Sequence, residues 1–340
     1  MENKNKTAYF QWLRLLAAAA VVLMHTAAKG WNAAGPSRPE WTVLTCWDGL
    51  VRWPVPVFVM ITGALFLPRR TPWKTILTRY IPRMALCFGL WSGLYVLYQL
   101  RTDPAAELWQ LFAAGQYHLW YLPFLCGVYL TLPFLQKICE DDRLAGQLTV
   151  LSLVFGCAVP WGMDLLALLW PDRAAVFSSV RGHLNYAFFL DLLGAVMLGH
   201  RLHSRDLSRR QRLSLYGLGL GSLAVTIAAT LHFSTALGRN VTLFFEHSSP
   251  MNLCTAAAVF VFARYNLTRL PKPVGRMADR SFGIYLSHAL VIEVLTDRGI
   301  HVLAWDPVWS VPVLTAAVFA IALAISAVLG KIPVIGKYLA

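Results

Sequence analysis

Long apolar stretches alternate with short charged ones along the chain, and this pattern predicts a bundle of membrane-spanning helices. A helix needs about 20 residues to cross the hydrocarbon core of a bilayer, and Tyr9–Ala28 has this length and is almost entirely apolar. Nine further apolar stretches follow, at Trp53–Leu67, Tyr80–Leu100, Trp120–Ile138, Leu148–Leu169, Tyr186–Leu202, Leu213–Leu231, Met251–Tyr265, Phe282–Leu295 and Val308–Leu329. We therefore predict an all-α, polytopic bundle of about ten spans, formed as one integral membrane domain over residues 1–340.

The distribution of basic residues predicts that both termini are cytoplasmic. In that orientation 21 of the 30 Lys and Arg residues fall on cytoplasmic segments and 8 on outer segments, while Arg14 lies within the first span. Cytoplasmic loops of membrane proteins are enriched in Lys and Arg in this way, so topology explains the net charge of +13 without a nucleic acid partner. The outer segments Gly30–Thr45, Arg101–Tyr117 and His232–Pro250 are expected to be loops with a binding role.

Composition supports a membrane protein and gives no sign of a metal site. Hydrophobic residues make up 57% of the chain and charged residues 14%, whereas soluble domains carry about 25% charged residues. The six Cys residues are scattered and form no C-x-x-C pair, so we expect neither a disulfide framework nor a zinc site. The sequence also lacks a P-loop, so no nucleotide hydrolysis of that kind is expected.

Two ionisable residues interrupt the first predicted span and share one of its faces. Arg14 and His25 are separated by close to three full turns, which is about 16 Å along the helix axis. Ionisable side chains at membrane depth usually face a bundle interior or a wet cavity. A structural role stays open for each, because Arg14 could extend to the headgroups and His25 could bind water or a carbonyl. Their common face favours function.

Two other segments carry residues that suit a binding site. Arg79 and Arg83 lie four residues apart on one predicted helical face, where guanidinium groups suit phosphates. Ordinary attraction to anionic lipid is the alternative, and the sequence alone slightly favours it. His118, Trp120 and Tyr121 are expected where a cavity opens outward, and they suit a hydroxylated ligand or an interfacial aromatic belt.

A polar stripe marks the ninth predicted span. Ser281, Tyr285 and His288 recur at steps of four and three residues, which places them on one helical face. A buried His and a Tyr on one stripe favour a functional role. Asp191 is expected within the membrane as well, and Arg14 is one candidate for its partner.

A pair of small residues in the second predicted span has a structural interpretation. Thr62 and Gly63 form a step of low volume within an otherwise bulky apolar stretch. Small residues let helix backbones approach closely in membrane proteins, so we predict close helix packing at this step.

Four of these segments together resemble the acyltransferase-3 family of integral membrane acyltransferases. The resemblance rests on the Arg14-x(10)-His25 pair and on the sequences VFVMITGALF, HLWYLPFL and SFGIYLSHALVIE, and it covers essentially the whole chain. It implies a bacterial inner-membrane enzyme that moves an acyl group, often acetyl, from cytosolic acyl-CoA to an outward-facing hydroxyl. The implied acceptor is a surface glycan or its lipid-linked precursor.

The resemblance also implies roles for individual residues. His25 matches the family's catalytic histidine and Arg14 its partner, while Arg79 and Arg83 match arginines proposed to hold the coenzyme, with Arg69 and Arg70 as competitors. The expected mechanism is general-base catalysis by His25 without a metal, and an acetyl-histidine intermediate is the open alternative. The other candidates for acceptor binding or oxyanion stabilisation are His118, Trp120, Tyr121, Ser281, Tyr285 and His288.

Two other functions stay open at this stage. A transporter or flippase for a small amphipathic solute or a lipid-linked sugar would also place His and Arg within the membrane. A membrane partner without catalytic activity would use these residues for structure alone.

Overall fold

The protein is all-helical over the residues described by a computed structural model, which are 7–101, 107–184, 190–333 and 336. These residues contain no β-strand, and short 3-10 and π turns supplement the α-helices. The helices are α1 Ala8–Ala34, α2 Pro39–Leu50, α3 Pro54–Phe66, α4 Trp73–Gln99, α5 Leu108–Ala114, α6 Tyr121–Ile138, α7 Asp142–Leu169, α8 Ala174–His183, α9 Leu193–Ser204, α10 Arg209–Leu237, α11 Pro250–Asn266, α12 Lys272–Ala278, α13 Ser281–Asp297 and α14 Pro307–Leu329. The all-α prediction is confirmed.

Within the described ranges, six helical segments are long and apolar enough to cross a membrane. They are α1, the segment Pro39–Phe66 in which α3 closely follows α2, α4, α7, α10 and α14. Each of the predicted stretches coincides with a helix over most of its described residues. The total of about ten spans and the location of the termini stay predictions; Lys4, Lys6, Lys337 and the start of the sixth stretch at Tyr186 lie outside the described residues.

The prediction of a loop over Gly30–Thr45 was wrong for most of that segment. Helix α1 continues to Ala34 and ends at Gly35, which adopts a positive φ of 74° that favours glycine. Helix α2 begins at Pro39, whose fixed φ suits the first turn of a helix. Trp41 of α2 is fully buried and stacks on Trp31 of α1, so apolar burial stabilises the helix where composition suggested a loop.

Segments predicted to be cytoplasmic meet at one end of the bundle. Arg264 in the last turn of α11 forms an ion pair with Asp206 at 2.8 Å, and the Trp12 indole donates to the Arg269 carbonyl at 2.9 Å. At the opposite end, Trp41 donates to the Asn240 side chain at 2.9 Å. The basic loops thus cluster as the charge pattern requires, while the side of the membrane that they face stays a prediction.

Helices α3 and α9 pack at very short range, as the Thr62–Gly63 step predicted. A Cβ atom at Gly63 would lie 1.8 Å from the Val196 carbonyl oxygen, and one at Gly199 would lie 2.1 Å from the Met60 carbonyl oxygen. Only glycine allows this backbone contact. The contact holds α3 in place, and α3 forms one wall of the site described next.

Candidate active site

Three histidines from separate parts of the chain meet inside the bundle. The ring centroid of His25 on α1 lies 5.2 Å from that of His288 on α13 and 6.4 Å from that of His118, just before α6. The rings of His118 and His288 are 4.9 Å apart. The fold therefore brings together three residues that the sequence suggested separately.

Backbone carbonyls determine the tautomers of two of these histidines. His288 Nδ1 lies 2.6 Å from the Tyr285 carbonyl oxygen, and His118 Nε2 lies 3.4 Å from the Leu286 carbonyl oxygen. A carbonyl can only accept, so these two nitrogens carry the hydrogens in the neutral rings. The remaining nitrogens, His288 Nε2 and His118 Nδ1, are buried without a hydrogen-bond partner among the described residues. Each therefore keeps an unused lone pair.

Two tyrosines hold this arrangement in place. The Tyr95 hydroxyl donates to the Leu286 carbonyl at 3.2 Å and accepts from the Leu290 amide at 2.9 Å. The Tyr285 hydroxyl donates to the His118 carbonyl. Tyr285 therefore positions its neighbours, and Tyr95 is a contributor that sequence reasoning missed, because a lone Tyr in an apolar span resembles a packing residue.

The cluster faces a cavity of about 480 Å³, which we call the histidine cavity. Its wall includes His25, His118, Trp120, Tyr121 and Tyr285. His118, Trp120 and Tyr121 thus line one cavity, while their role in binding and the side to which the cavity opens stay predictions. His288 is fully buried and packs against the other two rings.

The loop between α10 and α11, within the segment His232–Pro250, supplies a wall of this cavity through His247, a residue that the sequence did not single out. His247 stacks on Trp120, with ring centroids 5.1 Å apart and an interplanar angle of 18°. Burial, together with the positive charge of the nearby Arg52, lowers the pKa of His247 to about 4. The ring is therefore neutral at pH 7 and acts as a flat, uncharged surface.

An ion pair at the junction of α2 and α3 adds a cation to the same wall. Arg52 pairs with Asp48, which is fully buried, and its guanidinium lies 4.1 Å from the centroid of the Phe245 ring. Removing one partner of such a buried pair leaves an uncompensated charge, which is strongly destabilising. The spacing of four residues was a signal that could have identified the pair from sequence.

A second cavity, about 350 Å³ in volume, lies on the Arg14 side of the histidine cavity. This arginine cavity is lined by Arg14, Arg83 and Ser281. The two cavities share three wall residues, which are Phe58, Tyr121 and Tyr285. The polar stripe of α13 is therefore divided, with Ser281 in one cavity and His288 beside the other.

A third cavity continues the series to the N-terminal end of α1. It has a volume of about 700 Å³, shares Arg14, Leu65 and Phe66 with the arginine cavity, and adds Arg69 and Thr7. We call it the N-terminal cavity. The three cavities adjoin one another through shared wall residues, from Arg69 in the first to His25 in the last.

The structure separates the two arginines that were expected to act together. Arg83 is half-buried, lines the arginine cavity and lies 5.4 Å from the centroid of the Phe282 ring. Arg79 is exposed and lines none of the cavities described above. Arg79 lies in the π-helical turn Ile76–Tyr80, and the wider turn changes the face on which it lies relative to Arg83.

The carboxylates also differ from the expected pairing. Asp191 is exposed and, among the described residues, forms no ion pair with Arg14. Arg14 instead shares the arginine cavity with Asp279. Glu293 of α13 pairs with Lys29 of α1 near the histidine cavity. In the parts of the chain that the structure describes, no group of three or more His, Cys, Asp or Glu residues is arranged to hold a metal ion.

Comparison with known families identifies this architecture. The family model described as an acyltransferase domain, Acyl_transf_3, matches residues 7–330. The chain belongs to the acyltransferase-3 family. None of the curated proteins and none of the solved structures compared with it matches the chain. As an acyltransferase-3 member with six apolar helices of spanning length in its described residues, it is a multi-pass membrane acyltransferase.

Proposed function

We propose that the protein transfers an acyl group, most simply acetyl, from cytosolic acyl-CoA to a hydroxyl of an acceptor on the outer side of the bacterial inner membrane. The acceptor is a surface glycan or its lipid-linked precursor. The observation that carries this proposal is the series of adjoining cavities that begins at Arg69, passes Arg14 and Arg83, and reaches His25. Such a series suits a long donor with an anionic end and a reactive tip.

The charges along the series support this orientation of the donor. Arg69, Arg14 and Arg83 are available to the nucleotide and its phosphates, because guanidinium groups bind phosphate oxygens well. To bring the thioester to His25, the narrow pantetheine arm has to pass between Phe58, Tyr121 and Tyr285, which both cavities share. The distance of about 16 Å from Arg14 to His25 along α1 is spanned by this arm. Because Arg79 is exposed and lines none of these cavities, its only proposed role is to attract the anionic donor toward the N-terminal cavity.

In this mechanism His25 acts as the general base. The neutral imidazole takes the proton of the acceptor hydroxyl as that oxygen attacks the thioester carbonyl. The new C–O bond forms, the C–S bond breaks, and the proton held by His25 passes to the departing thiolate. Among the described residues the His25 ring makes no hydrogen bond, which leaves both its nitrogens available for substrate.

Geometry narrows the candidates for the oxyanion donor. The Tyr285 hydroxyl already donates to the His118 carbonyl, and the free nitrogen of His288 carries a lone pair instead of a hydrogen. Ser281 lies in the arginine cavity, away from the histidines. Tyr121 lines both cavities at their junction, so we assign the stabilising hydrogen bond to its hydroxyl. Trp120 and His118 contact the acceptor.

Replacement of His25 tests the proposal directly. His25→Gln retains a polar side chain of similar length but removes the base, so acyl-CoA turnover should fall by about 10²–10⁴-fold. The measurement is CoA thiol release by the purified protein, and His183→Gln on the exposed face of α8 is the matched control. Activity of His25→Gln within tenfold of the unmodified protein would contradict the proposal. Solute transport that survives the substitution without CoA release would favour a transporter.

Two further measurements address the remaining parts of the proposal. Glycan mass spectrometry of cells with and without the gene should show the loss of one acetyl group from the acceptor. We also propose about ten spans with both termini cytoplasmic, and reporter fusions at each terminus should then be active only inside the cell. Activity of either fusion on the outer side would contradict the orientation.

A further inference from the structure

A separate cavity of about 310 Å³ lies next to the histidine cavity, between α1, α13 and α14. Most of its wall is hydrocarbon, supplied by Ile292, Leu295, Leu303, Leu314 and Val318. We call it the side cavity. At about 30 Å³ for a group the size of a water molecule, it has room for roughly ten methylene-sized groups, so it takes only the part of a longer chain that lies nearest the head group. It suits one hydrocarbon chain better than a polar ligand.

Lys29 connects the side cavity to the histidine cavity, because its side chain lines both. It follows His25 by four residues, so it lies on the same face of α1 about 6 Å further along the axis. His301 lies on the wall of the side cavity as well and adds a second basic group. The apolar space thus ends at a basic group next to the proposed catalytic base.

The ion pair of Lys29 leaves this basic group open to exchange. Its partner is Glu293, and the two side chains are 34% and 25% exposed. Partly exposed ion pairs are weak. Because the pair is weak, the anionic phosphate ester of a lipid can take the place of Glu293 at the Lys29 ammonium through charge-assisted hydrogen bonds.

We propose that the side cavity holds the hydrocarbon chain of a lipid-linked acceptor, with its phosphate at Lys29 and its sugar hydroxyl at His25. This inference rests on the proposed function and narrows the acceptor to a phospholipid-like sugar carrier with a single chain. The separation of about 6 Å between Lys29 and His25 along α1 leaves space for one sugar ring between phosphate and hydroxyl. A free glycan would have no use for the apolar space.

The test measures binding of farnesyl phosphate to the purified protein in phosphatidylcholine nanodiscs by native mass spectrometry. Farnesol and inorganic phosphate serve as probes that each lack one half of the ligand. We expect one saturable site for farnesyl phosphate, weaker binding of farnesol, and no saturable binding of inorganic phosphate. Lys29→Met should weaken farnesyl phosphate binding about tenfold or more, as expected for the loss of a charged hydrogen bond, and change farnesol binding little.

A second substitution tests the chain-binding half of the inference. Ala33 is exposed and lines the side cavity in the last turn of α1, so Ala33→Phe should fill the space and weaken both lipid probes about tenfold or more. Ala316→Phe is the control, because Ala316 is exposed on α14 and lines none of the cavities described here.

Absence of saturable farnesyl phosphate binding would overturn the inference, and so would binding that Ala33→Phe leaves unchanged. Competition by phosphatidylglycerol that equals the affinity of farnesyl phosphate would also overturn it, because the site would then be an ordinary membrane lipid site. Acyl-CoA binding measured on the same samples separates the two proposals. If acyl-CoA binds normally and farnesyl phosphate does not bind, this inference alone is wrong. If turnover does not depend on His25, the proposed function is wrong.

Discussion

The backbone contact between α3 and α9 yields a sharp prediction about a single methyl group. In Gly63→Ala the new Cβ would lie 1.8 Å from the Val196 carbonyl oxygen and 2.7 Å from its carbonyl carbon, whereas ordinary contacts begin at 3.4 Å. The obstacle is backbone, so a side-chain rotation cannot relieve it. The two helices must separate by about 1.6 Å, the difference between 3.4 and 1.8 Å.

The expected loss of stability in Gly63→Ala follows from the free-energy cost of overpacking a rigid contact. Forcing extra volume into a well-packed core costs about 1–3 kcal/mol and sometimes more. Glycine to alanine within a helix would otherwise stabilise it by about 0.5–1 kcal/mol. Since α3 also carries Phe58 and Thr62 on the cavity walls, its displacement should reduce turnover together with stability.

The assay is thermal unfolding of the purified protein, followed by tryptophan fluorescence, with CoA release measured in parallel. Gly93→Ala is the matched control, because a Cβ at this α4 position meets no atom within 4 Å. Gly63→Ala should melt several degrees below Gly93→Ala. Equal melting temperatures would refute the claim that the α3–α9 contact requires glycine.

Two further predictions concern the site and its loop. Arg83→Ala should raise the KM for acyl-CoA by about tenfold, because one charged contact is lost. Arg79→Ala should change the KM far less, because Arg79 is exposed and lies outside the cavities. Equal effects of the two substitutions would exclude Arg83 from the donor site. His247 binds a proton near pH 4 in the native state but near pH 6.5 when unfolded, so stability should fall by up to about 3 kcal/mol as pH drops from 6.5 to 4. In urea or thermal unfolding, the stability of His247→Gln should depend less on pH over this range than that of the unmodified protein. The same pH dependence in both proteins would contradict the prediction.

Predictions from the sequence were right where they depended on the residues of a single helix. The length of apolar stretches located the helices, and the eleven-residue spacing placed Arg14 and His25 on one face that lines the adjoining cavities. The same reasoning failed at Arg79, because a π turn changes the residue-per-turn count on which the spacing argument depends. It also failed at Gly30–Thr45, where burial of Trp41 outweighs a composition typical of loops.

The amino-acid sequence by itself determined the helical class, the clustering of basic loops at one end and the helix face of His25. These follow from hydropathy, charge and the period of the α-helix, which act within one segment. Only the tertiary structure decided that His118 and His288 join His25, that Arg52 and His247 wall the same cavity, and that an apolar cavity adjoins it at Lys29. Contacts between residues far apart in the sequence depend on how helices pack, and the periodicity of a single helix does not specify which helices lie next to it.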